Sequence, residues 1–315
     1  MSAEPPSSAL IRAMPVVFVL IWSTGFIVAK FGLPFAPALS FLVIRYTLSI
    51  ICFLVWIRVS RARWPVGGRQ WLHLAVTGML MHGGYLSGVW VAVKSGMGSG
   101  LVALIVGLQP VLTALWISWA GSPGAAAGGA TQARVMPRQW AGVALGLGGL
   151  LMVVARKFGS GHEVTALTLG CAVFALFSIT VGTLYQKHFV QTADVRSANA
   201  IQLAAALLVT LPFALFDTEA IVWNAEFIGA MAWSVLALTL GGSSLLYLLI
   251  QRGAATAVTS LLYLVPPTTA LMAWLLFGEA ITVATVVGTA LTAVGVSLVV
   301  RSPQPQSAPL SRGRP

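Results

Sequence analysis

Apolar residues fall in ten long runs, at about 14–31, 38–57, 71–92, 100–119, 137–155, 166–185, 198–216, 227–249, 256–277 and 281–300. Each holds about 18–23 residues, which at 1.5 Å per residue spans a hydrocarbon core of about 30 Å. Short connectors between them collect the Pro, Gly and charged positions. The longest connector, 120–138, is Gly/Ala-rich around Gly121-Ser122-Pro123-Gly124-Ala125 and reads as a flexible surface loop. The stretch from Ser302 to Pro315 is rich in Pro, Ser and Arg and reads as a disordered tail. The pattern predicts an all-α membrane protein of ten transmembrane helices with no separate soluble domain.

Composition points the same way. The 315 residues are 58% hydrophobic and 8% charged, against about 25% charged in a soluble domain, so most helices have no water-facing side. The formal charge of +11 raises nucleic acid as a partner. A nucleic-acid binder gathers its basic residues on one face; here they sit in the connectors, the pattern that orients membrane proteins. The expected surroundings are a lipid bilayer, with no nucleic-acid partner. Cys52 and Cys171 lie inside apolar runs, where a thiol acts as a small hydrophobe. No CxxC pair or disulfide framework is present, and neither a metal nor another cofactor is expected.

The first run has one competing reading. Arg12, the apolar stretch and Ala36-Pro37-Ala38 loosely fit a cleaved signal peptide. Recurrence of the same segment in mid-chain counts against cleavage. With the N-terminus inside, inner connectors hold Arg12, Arg58, Arg61, Arg63, Arg69, Arg134, Arg138, Lys187, Arg196, Arg252 and the Arg residues of the tail. Outer ones hold only Lys30, Lys94, Arg156 and Lys157, and the acidic Asp217, Glu219 and Glu226 share an outer loop. The positive-inside rule therefore places both termini in the cytoplasm.

Sliding the chain on itself by 157 residues superposes Gly25 on Gly182, Lys30 on Lys187, Ser40 on Ser197, Gly84 on Gly241, Pro110 on Pro267 and Gly121 on Gly278. Beyond the 120–138 connector the shift falls to 146, pairing Gly142 with Gly288 and Gly149 with Gly295. Matches among Gly alone mean little, but Lys, Ser and Pro keep the same register. Two repeats are expected, 14–155 and 166–300, flanked by an N-terminal segment 1–13 and a tail 301–315. Five helices per repeat invert the second copy in the membrane. Such inverted-topology repeats serve alternating access, with the substrate site near the midplane between the halves.

Several motifs now resemble a known family. Trp22-Ser23-Thr24-Gly25-Phe26, Arg45-Tyr46, Gly107-Leu108-Gln109-Pro110, Leu262-Tyr263-Leu264-Val265-Pro266-Pro267, Phe277-Gly278-Glu279 and Gly288…Gly295 resemble the EamA family of the drug/metabolite transporter superfamily. The resemblance covers about residues 14–300. It implies two EamA repeats, a bacterial inner-membrane location and export of amino acids or related metabolites. One departure is clear: the Gly-Glu pair usual after the fourth helix stands here as Gly121-Ser122. This leaves a structural role open for Glu279.

Candidate functional residues are the polar and aromatic ones set deep in the runs. Arg45 lies about seven residues into the second run. A charge there costs roughly 2.5–3.5 kcal/mol on insertion scales and should face the bundle interior, to attract a substrate carboxylate or to tie carbonyls; the alternative is snorkelling to the headgroups. His82 is mid-span, either packing there or contacting substrate and protons. Trp22 and Tyr263, set in from the span ends, are candidates for cavity walls, and Tyr85 follows His82 one turn on. Other Trp residues, such as Trp56, Trp64, Trp71, Trp140 and Trp223, suit interfacial belts. Pro110, Pro266 and Pro267 break helices and free carbonyls, as structural kinks or gates, and Gln109 beside Pro110 is placed to reach the cavity. The expected substrate-binding set is Trp22, Arg45, His82, Tyr85, Gln109 and Tyr263.

No HExxH, GxSxG or Walker sequence is present, so direct use of ATP is not expected; proton antiport would have to run through His82 or the substrate. Rival readings are a membrane-embedded enzyme, for which an isolated histidine offers neither a paired base nor a metal cluster, and a non-transporting sensor, for which no appended domain is expected. Homo-oligomerisation is left open. The expectation is a secondary transporter exporting small amphipathic solutes.

Overall fold

Proline and glycine set many of the helix ends. The structure, a computed structural model, describes residues 8–120, 137–157, 163–242, 245 and 264–300, and every regular element among them is helical. Helix α1 (Ser8–Gly32) passes into a 3-10 turn at Leu33–Phe35 with Pro34 in its first turn, and Pro37 precedes α2 (Ala38–Ser60). Proline suits these starts because its missing N–H has no helical partner there in any case. The third span joins α3 (Gly68–Gly78), a π-helical segment (Met79–Gly84) and α4 (Tyr85–Lys94) without a break.

Pro110 divides the fourth span. Its ring would clash with the carbonyl four residues back, at Val106, and α5 (Ser99–Val106) ends there before α6 (Gln109–Ala120) begins. Then follow α7 (Pro137–Lys157), α8 (Ala166–Phe189) and α9 (Val195–Ala214). After them come α10 (Ala225–Trp233) with a second π segment (Ser234–Gly242), α11 (Val265–Phe277) and α12 (Val283–Val300). Pro266 and Pro267 stand in the first turn of α11. Tyr247, Arg252 and Tyr263, the bulk of the 120–138 connector and the 301–315 tail lie outside the described residues.

Among the described residues, six helical stretches are long and apolar enough to cross a membrane: 16–35, 38–60, 137–157, 166–189, 195–214 and 225–242. Their outer surfaces carry Leu54, Val55, Leu151, Phe174, Phe177, Leu208 and Phe213, all exposed. So large an apolar surface suits lipid, not water. Inside, Phe41, Tyr46, Phe53, Trp90, Ile105 and Phe227 are wholly buried.

Helix boundaries repeat along the chain. Ala38 and Val195, which open α2 and α9, stand 157 residues apart, as do Gly68 and Ala225, which open α3 and α10. The ends of α6 at Ala120 and α11 at Phe277 keep the same spacing. The two π segments also correspond, since 79–84 shifted by 157 falls within 234–242. Packing is reciprocal: the third span lies on α8, and α10 with its π segment lies on α1; α2 packs along α9, and α7 along α12. At the last pair, a Cβ on Gly142 would stand 2.5 Å from the Gly295 carbonyl oxygen, and one on Gly149 would meet the Gly288 carbonyl. Glycine permits this backbone approach, as small residues do between membrane helices.

Candidate functional site

A cavity of about 710 Å³, counting the part open to the outside, is lined in part by both π segments. It is walled by Trp22, Gly25 and Phe26 of α1, Arg45 of α2, and Met81 and His82 of the first π segment. Tyr85, Leu86, Val89 and Trp90 of α4, Ile179 of α8, and Leu238 and Thr239 of the second π segment complete it. Most of this wall is apolar or aromatic, with few polar groups, the usual make-up of a site for a small organic molecule.

Arg45 is 8% exposed and faces the bundle, so it does not snorkel. Its Nε and Nη2 donate to Thr239 Oγ1 at 3.3 and 3.2 Å. Thr239 can accept both because its one hydroxyl proton goes to the Ser234 carbonyl at 2.8 Å, leaving its lone pairs for the guanidinium. The Trp90 ring lies 5.4 Å from the guanidinium carbon, a cation–π contact. Nη1 of Arg45 and Nε1 of Trp90 are buried without a hydrogen-bond partner among the described residues.

The first π segment is held by side chains from both sides. Tyr46 donates its hydroxyl to the His82 carbonyl at 2.7 Å, and Ser178 donates to the Leu80 carbonyl at 2.9 Å. Gly78 and Gly84 let the segment approach Gln202 of α9 and Ser178 of α8. Widened π turns disturb the regular ladder and recur at functional sites. On the α9 side, Gln202 lies near the His82 ring.

These residues fall into register pairs. His82 and Thr239 are 157 residues apart, and so are Arg45 and Gln202. Arg45 hydrogen-bonds Thr239, and their register partners, Gln202 and His82, lie near each other. Trp22 with Ile179, and Met81 with Leu238, are further cavity-lining pairs at the same spacing.

Four of the sequence candidates, Trp22, Arg45, His82 and Tyr85, come together in this cavity. Gln109 is not among its lining residues: at the start of α6 it donates to Thr183 of α8 at 2.9 Å. The break at Gly107 and Leu108 resets the helix, and its new first turn lies against α8. Tyr263 lies outside the described residues. Thr239 was missed, because a lone threonine in an apolar span carries no signal of its own; its spacing from His82 was the available clue. Among the described residues no group of three or more His, Cys, Asp or Glu is placed to hold a metal ion.

Ties at the helix ends frame the cavity. At one end, Lys30 pairs with Glu279 at 2.6 Å, and the same carboxylate accepts the Ser99 backbone N–H at 3.0 Å, capping α5. Lys94 pairs with Glu219 at 2.6 Å, and Ser40 donates to Asp217 through its amide and hydroxyl. At the other end, Gln70 donates to the Gln191 carbonyl, Ser197 to the Arg63 carbonyl, and His73 Nδ1 lies 2.8 Å from the Tyr185 hydroxyl. Arg196 there holds the Asp194 carboxyl below the ordinary range, first through a side-chain hydrogen bond.

Residues 166–301 match the model of the EamA-like transporter family. The chain is 24% identical over 295 residues to an uncharacterized transporter of Archaeoglobus fulgidus, covering 89% of this chain and 93% of that one. It is 25% identical over 205 residues to a probable amino-acid metabolite efflux pump of Salmonella typhimurium, covering 64% of this chain and 62% of that protein. A crystal structure resembles it in fold, with a TM-score of 0.61, 19% identity, and coverage of 93% of this chain and 96% of the other.

Proposed function

We propose that this chain, which belongs to the EamA family of the drug/metabolite transporter superfamily, exports small amphipathic metabolites, amino acids or their relatives, by alternating access. The observation that carries the reading is the central cavity, whose wall joins Arg45 from the first half of the chain to Thr239 from the second. A site at the junction of two repeats is where rocking of one half against the other changes access from one side to the other.

The repeats proposed are residues 14–155 and 166–300, five helices each, ten in all, with the second inverted. Three observations support them: coincident helix boundaries at a spacing of 157, the placement of Arg45 on Thr239 and of Gln202 near His82, and the reciprocal approach of Gly142 to Gly295 and Gly149 to Gly288. A two-fold axis in the membrane plane makes contacts come in such pairs. The segments 1–13 and 301–315 flank the repeats. The protein is proposed to sit in the bacterial inner membrane with both termini cytoplasmic, by the excess of Arg and Lys at that end.

Trp22, Arg45, His82 and Tyr85 are proposed to contact the solute. Gln109 and Tyr263 remain proposals as well: Gln109 from beside the break in the fourth span, Tyr263 from the motif before Pro266. The apolar wall takes up variable bodies while the polar groups orient a shared part. An amino-acid substrate is further supported by the named function of the Salmonella relative. The test is a metabolite profile of the medium from cells producing the protein. Solutes of this class should accumulate outside relative to cells carrying an empty vector; an unchanged profile would refute export.

A further inference from the structure

We propose that the solute held in the central cavity is an organic carboxylate with an uncharged, partly apolar body, bound through its carboxylate by Arg45. The inference rests on reading this cavity as the transport site. A guanidinium has five N–H donors in a planar fork. Nε and Nη2 are each engaged with Thr239, whereas Nη1 is buried and unpartnered among the described residues. Trp90 Nε1, which can only donate, is in the same condition, and its ring packs over the same guanidinium. Native proteins leave few buried donors unpaired. Both residues line the cavity, and these two donors are the polar capacity that Thr239 leaves unused.

The acceptor proposed for them is anionic. A buried charge without a counter-charge is unfavourable, and this chain supplies none for Arg45. Every Asp and Glu of the sequence lies in a terminal segment, a connector or the first turn of α10. A carboxylate matches the guanidinium fork and forms the stronger, charge-assisted kind of hydrogen bond. The same distribution disfavours a cation, since an ammonium entering here meets Arg45 and no carboxylate. Trp22, Phe26, Leu86 and Leu238 offer an apolar surface to the remainder of the molecule. Acids whose amine is acylated, or replaced by a hydroxyl or keto group, therefore fit better than a free zwitterion.

The test uses the purified full-length protein in detergent and three probes with one shared body: N-acetylphenylalanine, phenylalanine and N-acetylphenylalaninamide. Calorimetric titration should show the N-acetyl acid binding about tenfold or more tighter than its neutral amide, the margin expected of one charge-assisted pair, with phenylalanine between them. Arg45→Gln should abolish the preference, and Arg45→Lys, which keeps the charge without the fork, should retain part of it. Equal binding of acid and amide by the unaltered protein overturns the proposal, as does absence of binding by the acid. An acid preference that survives Arg45→Gln does the same. Should Arg45→Gln fail to fold, the comparison of acid with amide in the unaltered protein still decides. Acid-selective binding without efflux from cells would refute the transport reading alone; efflux without acid selectivity in the binding assay would refute the carboxylate assignment alone.

Discussion

Arg45 donates from two nitrogens to the Thr239 hydroxyl, 194 residues away, and the register partners of these residues, Gln202 and His82, lie near each other. One contact in such a pair could arise by chance. A second pair at the same spacing is what the proposed two-fold relation between the halves predicts. The same proposed relation accounts for the packing of α2 on α9 and of the third span on α8.

Thr239→Val keeps the shape of the side chain and removes the acceptor of both Arg45 bonds. The buried guanidinium then loses its hydrogen-bond partner among the described residues, at an expected cost of about 1.5–3 kcal/mol. Thermal unfolding of the detergent-purified protein should fall accordingly, and Thr239→Ser, which restores the oxygen, should recover most of the loss. Equal stability of the valine and serine forms would deny the bond its role.

Glu279 accepts from both Lys30 and the Ser99 amide, so its removal should loosen the end where α1, α5 and α11 meet. Glu279→Gln keeps an acceptor for Ser99 and loses the ion pair; Glu279→Ala loses both. Stability should fall in that order, with the alanine form down by about 1–3 kcal/mol. An alanine form as stable as the native protein would show the tie to be incidental.

Gly142→Ala places a Cβ 2.5 Å from the Gly295 carbonyl oxygen, and backbone must move to admit it. A loss of about 1–3 kcal/mol is expected from overpacking. Gly148, on the same helix, has nothing within 4 Å of its added Cβ. Gly148→Ala should therefore be neutral or stabilise by up to about 1 kcal/mol, through reduced freedom of the unfolded chain. Similar unfolding temperatures for both variants would contradict the packing assigned to α7 and α12.

Topology is checked by reporter fusions. A fusion at Ser302 should report cytoplasm and one near Phe216, just beyond α9, the outside. A periplasmic signal at Ser302 would reverse the orientation and remove the odd-helix reasoning with it.

Much of the fold was legible because lipid imposes a single demand, long apolar runs, that 38–57, 166–185 and 198–216 meet plainly. Pro110 announced the break in the fourth span. The π segment at Met79–Gly84 was not legible, since one extra residue per turn leaves hydrophobicity unchanged. Within the site, Arg45 and His82 stood out as polar residues in apolar surroundings, whereas Thr239 did not. Gln109 turns toward Thr183 because its neighbour Pro110 restarts the helix, so its orientation does not follow from the phase of the residues before it.

The central claim is that the cavity around Arg45 is where solute crosses. It is tested most directly by following the solutes exported by cells producing the native chain and comparing Arg45→Ala at matched membrane abundance. The account predicts that export falls by about tenfold or more, the scale set by losing a charge-assisted contact to the solute. Full export by Arg45→Ala at equal abundance would contradict it.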